Sequence, residues 1–575
     1  MTTPFWFVLF ALIAYAVAYL AYGRWYDRTV WRPDAKRTTP GHMYTDGVEF
    51  FPVSKYVLWG YQFKSVAALG PILGPFIALQ YGWAPALIWI ILGNFFIGWL
   101  QDYGSIMVSL RNQGRSFGPI TYEFTGNAGR NTLLGFILFY LLIISATFIY
   151  FIATFWNIFP GTFAATLGIV LAGVIAGQML YKARMNVGIT TLVAFAVMIV
   201  AIVAPAYLEP LRVTKNFLGA WTVTFWALMA GVLLYLAAIL PLPTFIQPVN
   251  YVSFFPAFLG VILILVGALA SPATGVTLQQ PAWIGFWPAK APGPMWPLLF
   301  VAIACGAISG WHSLVGSSTT SKQLDVETDA FPVGAGAMLS EGLVALASLA
   351  AYMVLAPKDT ALGSVGAWVN GALLLTGKFL GGSGPVLQTY FGVVLVIYAI
   401  TVQALVTRFW RLVSQEVFGQ GGLAILGQKH VSTIVGLVLA ILFATTGSWN
   451  NLWLYFGGSN QLLAGLALML ITIHLARVKE RTVYTLIPAL FMILTTLSAL
   501  AWQTYVFSKA FLGITKTLVQ PPLGKIAWAA KSLDGLFVLV GVILFVLGVR
   551  MAWLTVGSYR QAFSGVAGPT VAADD

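Results

Sequence analysis

Long apolar segments separated by short polar connections dominate this chain. Windows of roughly 20 apolar residues, the length that crosses a bilayer as a helix, predict about fifteen spans. A shorter, mixed segment at 361–378 predicts a re-entrant or interfacial helix. The pattern therefore predicts an all-α polytopic membrane protein. The predicted spans lie near residues 5–23, 56–81, 84–109, 131–158, 161–181, 187–206, 219–242, 250–271, 295–317, 331–356, 385–408, 430–447, 452–476, 482–505 and 533–556.

The composition points to the same class of protein. The 575 residues are 59% hydrophobic and 8% charged, with a mean hydropathy of +0.87, whereas a soluble domain carries about 25% charge. No charged side chain occurs from Asn216 to Ala289. The only cysteine, Cys305, excludes an intrachain disulfide and a metal site built from cysteines. The net charge of +13 therefore predicts loops that face an anionic lipid leaflet rather than a nucleic acid.

Basic residues concentrate in alternate connections. They follow spans one, three, five, eleven and thirteen, whereas the connections after spans two, four and twelve carry no charge. Because cytoplasmic loops carry an excess of Lys and Arg, this alternation predicts an outside N-terminus and a cytoplasmic C-terminus in the cell's inner membrane. The loop after span fourteen is the exception, with Lys509, Lys516, Lys525 and Lys531 on the predicted outer face.

Glycine and proline interrupt the second predicted span. The motif GPILGP, residues 70–75, places four such residues within six, and we expect the helix to break there. Irregular backbone at membrane depth is tolerated where protein buries it or where it lines a wet cavity. Lys64 precedes the motif by about two turns, with no charged neighbour in sequence. A broken helix beside an intramembrane charge predicts a transport site.

A second interruption occurs five spans later, in a span of opposite direction. Span seven ends in PLPTFIQP, residues 241–248. Two broken helices of opposite sense fit the inverted-repeat plan of LeuT-like transporters, although prolines that end ordinary helices give the same pattern. The prediction divides the chain into a first helix with a basic cytoplasmic loop, a transport core, and accessory C-terminal helices. These parts are residues 1–55, 56–408, with two five-helix repeats of roughly 56–206 and 219–408, and 409–575.

Several long blocks of sequence are similar to the carbon starvation protein A family. They read GPILGPFIALQYGWAPALIW from residue 70, WLQDYGSIMVSLRNQGRSFG from residue 99, and IACGAISGWHSLVGSSTTSKQL from residue 303. GAGAMLSEGLVAL (334–346) and LWLYFGGSNQLLAGLALMLI (452–471) agree as well, in the same order. The resemblance covers most of the chain. It implies a polytopic inner-membrane protein related to LeuT-like transporters, which takes up peptides or, in some members, pyruvate, driven by an ion gradient.

Two positions depart from the pattern of this family. Relatives carry two histidines before the glycine–proline break, where this chain has Tyr61 and Gln62, followed shortly by Lys64. Relatives also carry acidic side chains in helix eleven, where this chain offers Gln403. The resemblance therefore leaves both the coupling ion and the substrate open.

Substrate contacts are predicted at the two breaks. Because half-helix N-termini present free N–H groups that favour anions, we expect the carboxylate of a peptide or small acid to bind the N–H groups after Pro75. A tightly packed kink without a ligand is the alternative. His312 in span nine either titrates near physiological pH or serves as a structural donor. The predicted substrate-binding residues are Gly70, Pro71, Gly74, Pro75, Pro241, Pro243 and His312.

Ion coupling is predicted from polar side chains inside the spans. An ammonium at depth costs at least about 2.5–3.5 kcal/mol, so Lys64 is a fixed cation, a proton carrier or a snorkelling side chain. Glu341 is expected either to stay protonated or to meet Lys64 or His312. The hydroxyls of span nine suit sodium or a peptide backbone, or bond to their own helix; the resemblance implies a sodium site there. The predicted ion-coupling residues are Lys64, Ser309, Ser313, Ser317, Ser318, Glu341 and Gln403.

Three further polar residues are predicted to be structural. Asp102 is expected near the cytoplasmic end of span three, paired with Arg111 or Arg115. Asn460 and Gln461 are expected to form interhelical hydrogen bonds beside closely packed glycines. No metal site and no cofactor are predicted, apart from Na⁺ or H⁺ as the coupling ion.

Three functions compete at this stage. A secondary active transporter for small peptides or short carboxylates such as pyruvate fits the broken helices best. A channel or facilitator without ion coupling is the alternative, although the sequence has no filter-like motif. A membrane enzyme is disfavoured because HExxH, nucleophile-elbow and phosphate-loop motifs are absent. The sequence thus predicts a non-enzymatic transporter whose partners are a small solute and the lipid bilayer, and it leaves the oligomeric state open.

Overall fold

The computed structural model is built from helices, with one isolated β-bridge between Val53 and Leu324 in the part of the chain that it describes. The described residues are 2–47, 49–241, 244–361, 364, 366–382, 384–419, 421–520 and 523–564. The principal helices are α1 Phe5–Trp31, α2 Lys55–Val66, α3 Gly70–Tyr81, α4 Trp83–Arg111, α5 Phe117–Ile158, α6 Thr162–Lys182, α7 Val187–Tyr207, α8 Gly219–Ile239, α9 Ile246–Leu269, α10 Met295–Ala302, α11 Ala304–Ala307, α12 Gly310–Ser318, α13 Glu327–Met353, α14 Ala367–Leu380, α15 Pro385–Phe418, α16 Lys429–Ala444, α17 Trp449–Arg477, α18 Val483–Phe511 and α19 Ala527–Ser564.

Twelve helices within the described ranges are long and apolar enough to cross a membrane, and the bent pair α2–α3 makes a thirteenth span. The two remaining predicted spans take other forms. Residues 295–318 form three short helices, α10–α12, and α16 has only 16 residues. The mixed segment near 361–378 contains α14. The chain is therefore an all-α, multi-pass membrane protein.

The first break lies just before GPILGP, not inside it as the sequence pattern predicts. Helix α2 ends at Val66, Ala67 takes an extended conformation, and α3 begins at Gly70 with an axis bent by 45° from α2. Pro71 lies in the first turn of α3, where backbone N–H groups have no acceptor within the helix, so the N–H that proline lacks is not needed there. Proline thus starts the second half-helix. Pro75 is inside α3, so the N–H groups after it do not form the helix N-terminus that we expected to bind a carboxylate.

The second broken helix that meets the first is α10–α12, not span seven. Glycines allow the two backbones to touch: a Cβ placed at Gly70 would lie 2.3 Å from Cys305 Cβ, and one at Gly74 would lie 2.6 Å from the carbonyl oxygen of Ala302. Residues 240–245 connect two separate spans, α8 and α9. Pro241 is exposed in this connection, and Pro243 lies outside the described residues.

Helices from the two halves of the chain make matching contacts. Helix α8 packs on α5, α15 and α16, and α16 packs on α15, α5 and α8. Helix α9 packs on α13, α15 and α2, and α17 packs on α4, α5 and α12. The two sets of helices correspond in order: α2–α3, α4, α5, α8 and α9 match α10–α12, α13, α15, α16 and α17. When each helix is exchanged for its match, every contact named above becomes another contact of the same set. An inverted repeat requires this exchange relation.

The remaining helices lie around these ten. Helices α6 and α7 pack on one another and on α9 and α15. Helices α18 and α19 pack on α17, and α1 lies against α9 and α13. The two broken helices pack among these ten: α2–α3 contacts α9, α13 and α15, and α10–α12 contacts α4, α5 and α17.

Candidate functional site

The broken helix α10–α12 is completed by amide and indole side chains of α17. In the bilayer interior, carbonyl groups freed by a break need donors because no water is available. The Gln461 amide donates to the carbonyl oxygens of Phe300 (3.1 Å), Ile303 (3.1 Å) and Ala304 (3.3 Å). The indole of Trp453 donates to the carbonyl of Ala302 at 2.9 Å. These bonds explain how a helix can end at mid-membrane.

Asn460 serves the other side of the same break. Its Oδ1 accepts a hydrogen bond from the backbone N–H of Trp311 at 3.0 Å, at the start of α12, and another from the Tyr140 hydroxyl at 3.0 Å. Its Nδ2 donates to Ser309 Oγ (3.0 Å) and Cys305 Sγ (3.3 Å). Asn460 therefore caps the half-helix α12, although the sequence analysis places residue 460 among the accessory C-terminal helices.

Four ionisable side chains are buried beside the contact between the two broken helices, α2–α3 and α10–α12, which we call the crossing. His312 lies between two carboxylates: its Nδ1 is 2.9 Å from Asp102 Oδ2, and its Nε2 is 2.9 Å from Glu341 Oε2. All three side chains are fully buried. In the amide orientation that satisfies its neighbours, Gln101 donates to Asp102 Oδ1 at 2.8 Å. Asp102 thus pairs with His312 in the interior rather than with the arginines at the end of its helix.

Lys64 is the fourth member of this group. Its Nζ donates to Thr401 Oγ1 at 2.6 Å and lies 4.9 Å from the centre of the Tyr398 ring. Its side chain is fully buried and interacts electrostatically with Glu341. Lys64 therefore does not snorkel to the membrane face. We refer to Lys64, Asp102, His312 and Glu341 as the ionisable cluster.

The hydrogen bonding of the ionisable cluster is incomplete. The short contact between His312 Nε2 and Glu341 is not aligned as a hydrogen bond, and neither Glu341 oxygen has a hydrogen-bond partner among the described residues. When His312 is protonated, the cations of His312 and Lys64 face the carboxylates of Asp102 and Glu341. Gain or loss of one proton then changes the net charge of a buried site. Such a cluster can take up and release a proton.

A metal ion fits this cluster less well in the observed conformation. Ligand atoms of Cys305, His312 and Glu341 lie within 4.8 Å of one another, which is a set that could hold a transition metal. Two ligands of a tetrahedral zinc ion stand roughly 3.3 Å apart. The 2.9 Å between His312 Nε2 and Glu341 Oε2 is shorter, so these atoms touch directly and leave no space for an ion between them.

The hydroxyls of span nine have separate partners, and that of Ser309 accepts a hydrogen bond from the Asn460 amide at 3.0 Å. Ser313 Oγ donates to the carbonyl of Gly310 at 2.6 Å, and Ser318 Oγ donates to the carbonyl of Leu314. These bonds serve the segment's own backbone, the alternative that the sequence left open. Ser317 Oγ has no partner among the described residues. The buried amide of Gln403 donates to Thr407 at 3.2 Å, one turn further along α15.

The glycines and prolines of the first break serve close packing. Gly70, Pro71, Gly74 and Pro75 are buried, as is every residue from 62 to 79. Four cavities in the described part of the chain have no lining residue within this stretch. The crossing of the broken helices is therefore closed in this conformation.

An open cavity of about 270 Å³ leads toward the crossing from one face of the protein. It lies between α2, α5, α12 and α15, and Tyr61, Ser317 and Arg408 line it. We call it the vestibule. Lys322, which is bonded to Glu49 at 2.6 Å, stands at its edge. Two carboxylates, Glu49 and Glu416, line it as well, and Arg408 forms no ion pair among the described residues.

Sequence reasoning missed the partners of the cluster. The sequence does not mark Thr401, Tyr398 and Gln101 beside the cluster, or Tyr140 beside Asn460, as candidates, and it indicates for Cys305 only the lack of a disulfide or cysteine-built metal site. Polar residues within apolar helices are a weak signal, because many of them bond to their own backbone. What identifies these residues is contact with segments far away in sequence.

Comparisons with known proteins agree with these observations. The chain is 29% identical to the peptide transporter CstA of Campylobacter jejuni over 85% of this chain and 79% of that protein. It is 28% identical to the pyruvate/proton symporter BtsT of Escherichia coli over 87% and 81% of the two chains. These relatives are transporters by name, in agreement with the expectation that the chain is not an enzyme.

Among solved structures, the chain is similar to MhsT in complex with L-phenylalanine, with a TM-score of 0.46, 13% identity, and coverage of 87% of this chain and 99% of that chain. It is also similar to the Eremococcus coleocola manganese transporter, with a TM-score of 0.40, 15% identity and coverage of 90% and 99%. The family model described as carbon starvation protein CstA matches residues 3–372 and 360–499. The match spans most of the sequence, so the chain belongs to the carbon starvation protein CstA family.

Proposed function

We propose that this protein is a secondary active transporter that carries a proton together with a small carboxylate or a short peptide across the cytoplasmic membrane. One observation carries the proposal: four ionisable side chains with incomplete hydrogen bonding lie buried where two broken helices cross. Ionisable residues inside a membrane are costly, and they commonly mark ion or proton pathways.

The ionisable cluster suits a proton better than sodium. Sodium needs several oxygen ligands around one point, whereas the hydroxyls of Ser313 and Ser318 are bonded to carbonyls of their own segment. His312 can accept a proton on either nitrogen and faces a carboxylate on each side. The name of the Escherichia coli relative, a pyruvate/proton symporter, supports the same ion.

Each member of the cluster has a distinct role in this proposal. Glu341, whose oxygens have no hydrogen-bond partner among the described residues, receives and releases the coupling proton. His312 exchanges that proton with Glu341, and Asp102 holds the imidazole in place through Nδ1. Lys64 interacts electrostatically with Glu341, so the charge of each group affects the protonation of the other.

The solute is proposed to pass through the vestibule and the crossing. Arg408, which lines the vestibule and forms no ion pair among the described residues, attracts the carboxylate that pyruvate and peptides share. Substrate binding at the crossing requires α2 and α12 to separate, because their contact surface is closed in this conformation. Opening to one face at a time would then follow from movement of the two broken helices against the rest of the core.

The matching helix contacts favour core boundaries different from those expected from the sequence. We place one repeat in α2–α5 with α8 and α9, and the other in α10–α13 with α15–α17. The hairpin α6–α7 is then an insertion, and α1, α18 and α19 are peripheral. The face where α2 begins carries most of the basic residues, so we assign it to the cytoplasm, with the N-terminus outside.

Purified protein in liposomes tests the proposal. An inward proton gradient should drive saturable accumulation of labelled pyruvate or a labelled dipeptide, with no requirement for sodium. Trapped unlabelled substrate should drive counterflow of the labelled form. Flux that never saturates would instead indicate a channel or facilitator, and a strict requirement for sodium would remove the proton-coupled mechanism.

A further inference from the structure

We propose that a groove between α1, α2 and α13 binds an anionic phospholipid of the cytoplasmic leaflet, with its phosphate between Arg24 and Arg28 and an acyl chain along the apolar wall. The groove is the largest of the cavities described, with a volume of about 1170 Å³. It lies outside the crossing of the broken helices and shares no residue with the ionisable cluster. Membrane proteins bind acidic lipid headgroups in basic pockets between helices.

The charge of the groove favours an anion. Arg24, Arg28, Arg32 and Lys55 line its end at the basic face, together with two carboxylates. Two of the cations have carboxylate partners, since Arg32 is 3.3 Å from Glu480, and Lys55 is 3.6 Å from Asp329.

Arg24 and Arg28 have no such partner within ion-pair distance. Both are exposed on α1, and neither forms an ion pair within the described ranges. The guanidinium of Arg24 lies over the rings of Tyr19 (5.7 Å) and Phe331 (6.0 Å), which hold it at the edge of the groove. The nearby carboxylate of Asp27 interacts with both arginines but also accepts a hydrogen bond from Tyr103. Two arginines one turn apart therefore remain to contact a phosphate.

The shape of the groove matches one lipid. From Arg28 the lining extends along α1 to Leu12, about 24 Å at the helical rise per residue. One leaflet of a bilayer, with its headgroups, is roughly 20–22 Å thick. The far end of the groove is apolar, with Ala16, Leu339 and Leu343 on its walls. A free phosphate ion would occupy only the charged end and leave these walls without a partner.

The position of the groove allows a bound lipid to affect transport. Trp59, on its wall, belongs to α2, which carries Lys64. Leu339 and Leu343, on the opposite wall, belong to α13 and stand on either side of Glu341 in sequence. A lipid in the groove thus links the peripheral helix α1 to α2 and α13, two of the four helices that carry the ionisable cluster.

Native mass spectrometry of the purified full-length protein tests the proposal. The protein is titrated with phosphatidylglycerol and, separately, with phosphatidylcholine, with and without a large excess of inorganic phosphate. The double variant Arg24→Gln/Arg28→Gln is compared with Lys182→Gln/Arg184→Gln, which removes two basic residues outside the groove. Ala16→Trp, which narrows the apolar wall and keeps every charge, provides a second variant.

We expect phosphatidylglycerol to stay bound to the native protein and to bind roughly tenfold more weakly or worse to the Arg24/Arg28 variant, because two cations are lost. The Lys182/Arg184 variant should bind as the native protein does, and Ala16→Trp should bind less. Equal binding of the lipid by both double variants would overturn the proposal. So would displacement by inorganic phosphate, equal binding of phosphatidylcholine, or a dimer mass in which a second copy takes the place of the lipid.

Discussion

Two sets of buried polar side chains meet where the broken helices cross, and they differ in whether their side chains can change charge. The amide set, Asn460 and Gln461, donates to carbonyls and accepts from N–H groups that the break in α10–α12 leaves free. The ionisable cluster has Glu341 with no hydrogen-bond partner in the described part of the chain. One set holds a fixed conformation, and the other can change its charge.

The difference separates two reasons for placing polar atoms inside a membrane. Neutral amides cannot exchange a proton at physiological pH, so they suit permanent hydrogen bonds to the backbone groups that a helix break leaves free. Carboxylates, an imidazole and an ammonium cost more to bury than amides. Their burial is useful where a change of protonation is part of the mechanism. Substitutions in the two sets should therefore have different effects: loss of coupling in the ionisable cluster and loss of stability in the amide set.

Glu341→Gln is expected to have the largest effect on transport. The amide keeps the shape of the side chain but cannot carry a proton, so accumulation driven by a proton gradient should fall to background, tenfold or more below the native protein. Radiolabelled uptake into proteoliposomes measures this. Counterflow should survive, because exchange of substrate needs no net proton movement. Native accumulation by this variant would place the coupling proton elsewhere.

Lys64→Gln is expected to have a smaller effect and to change the pH dependence of uptake. Removing the cation favours the protonated form of Glu341, so uptake should reach half its maximum at a higher pH, with a several-fold lower rate. Initial rates at a series of external pH values provide the measurement. A pH profile identical to that of the native protein, with only a lower rate, would show that Lys64 does not act on the protonated group.

Gln461→Leu should act on stability instead of coupling. The substitution leaves up to three buried carbonyl groups without their side-chain donor, at a cost of about 1–3 kcal/mol for each group that stays unpaired. A thermal melt of the detergent-purified protein should show a clearly lower transition temperature. The folded fraction, once reconstituted, should keep the native pH profile, and a changed profile would contradict the separation of the two sets.

Ser313→Ala is expected to have the smallest effect, less than twofold on uptake. Its hydroxyl is bonded to the carbonyl of Gly310 in its own segment, and the removal of such a bond disturbs little. Uptake in the presence and absence of sodium provides the check. A selective loss of sodium-stimulated uptake would revive the sodium site that the sequence suggested in span nine.

The sequence predicts the helical architecture well, because hydropathy follows directly from the length of a bilayer crossing. It also identifies Lys64, His312 and Glu341 as polar residues at depth. It predicts the wrong contact partner for the first broken helix. The contact between Gly70 and Cys305 joins residues more than two hundred positions apart, which a sequence pattern does not reveal. Proline is ambiguous as well: Pro71 starts a half-helix, whereas Pro241 lies in an exposed connection between two spans.

Proton movement that accompanies substrate entry tests the central claim most directly. Proteoliposomes that contain a trapped pH indicator, with no imposed gradient, are supplied with pyruvate or a dipeptide from outside. The account predicts that the lumen acidifies in step with substrate entry for the native protein, and that Glu341→Gln causes no acidification although it still exchanges external for trapped substrate in counterflow. Acidification by Glu341→Gln equal to that of the native protein would contradict the assignment of the coupling proton to the ionisable cluster.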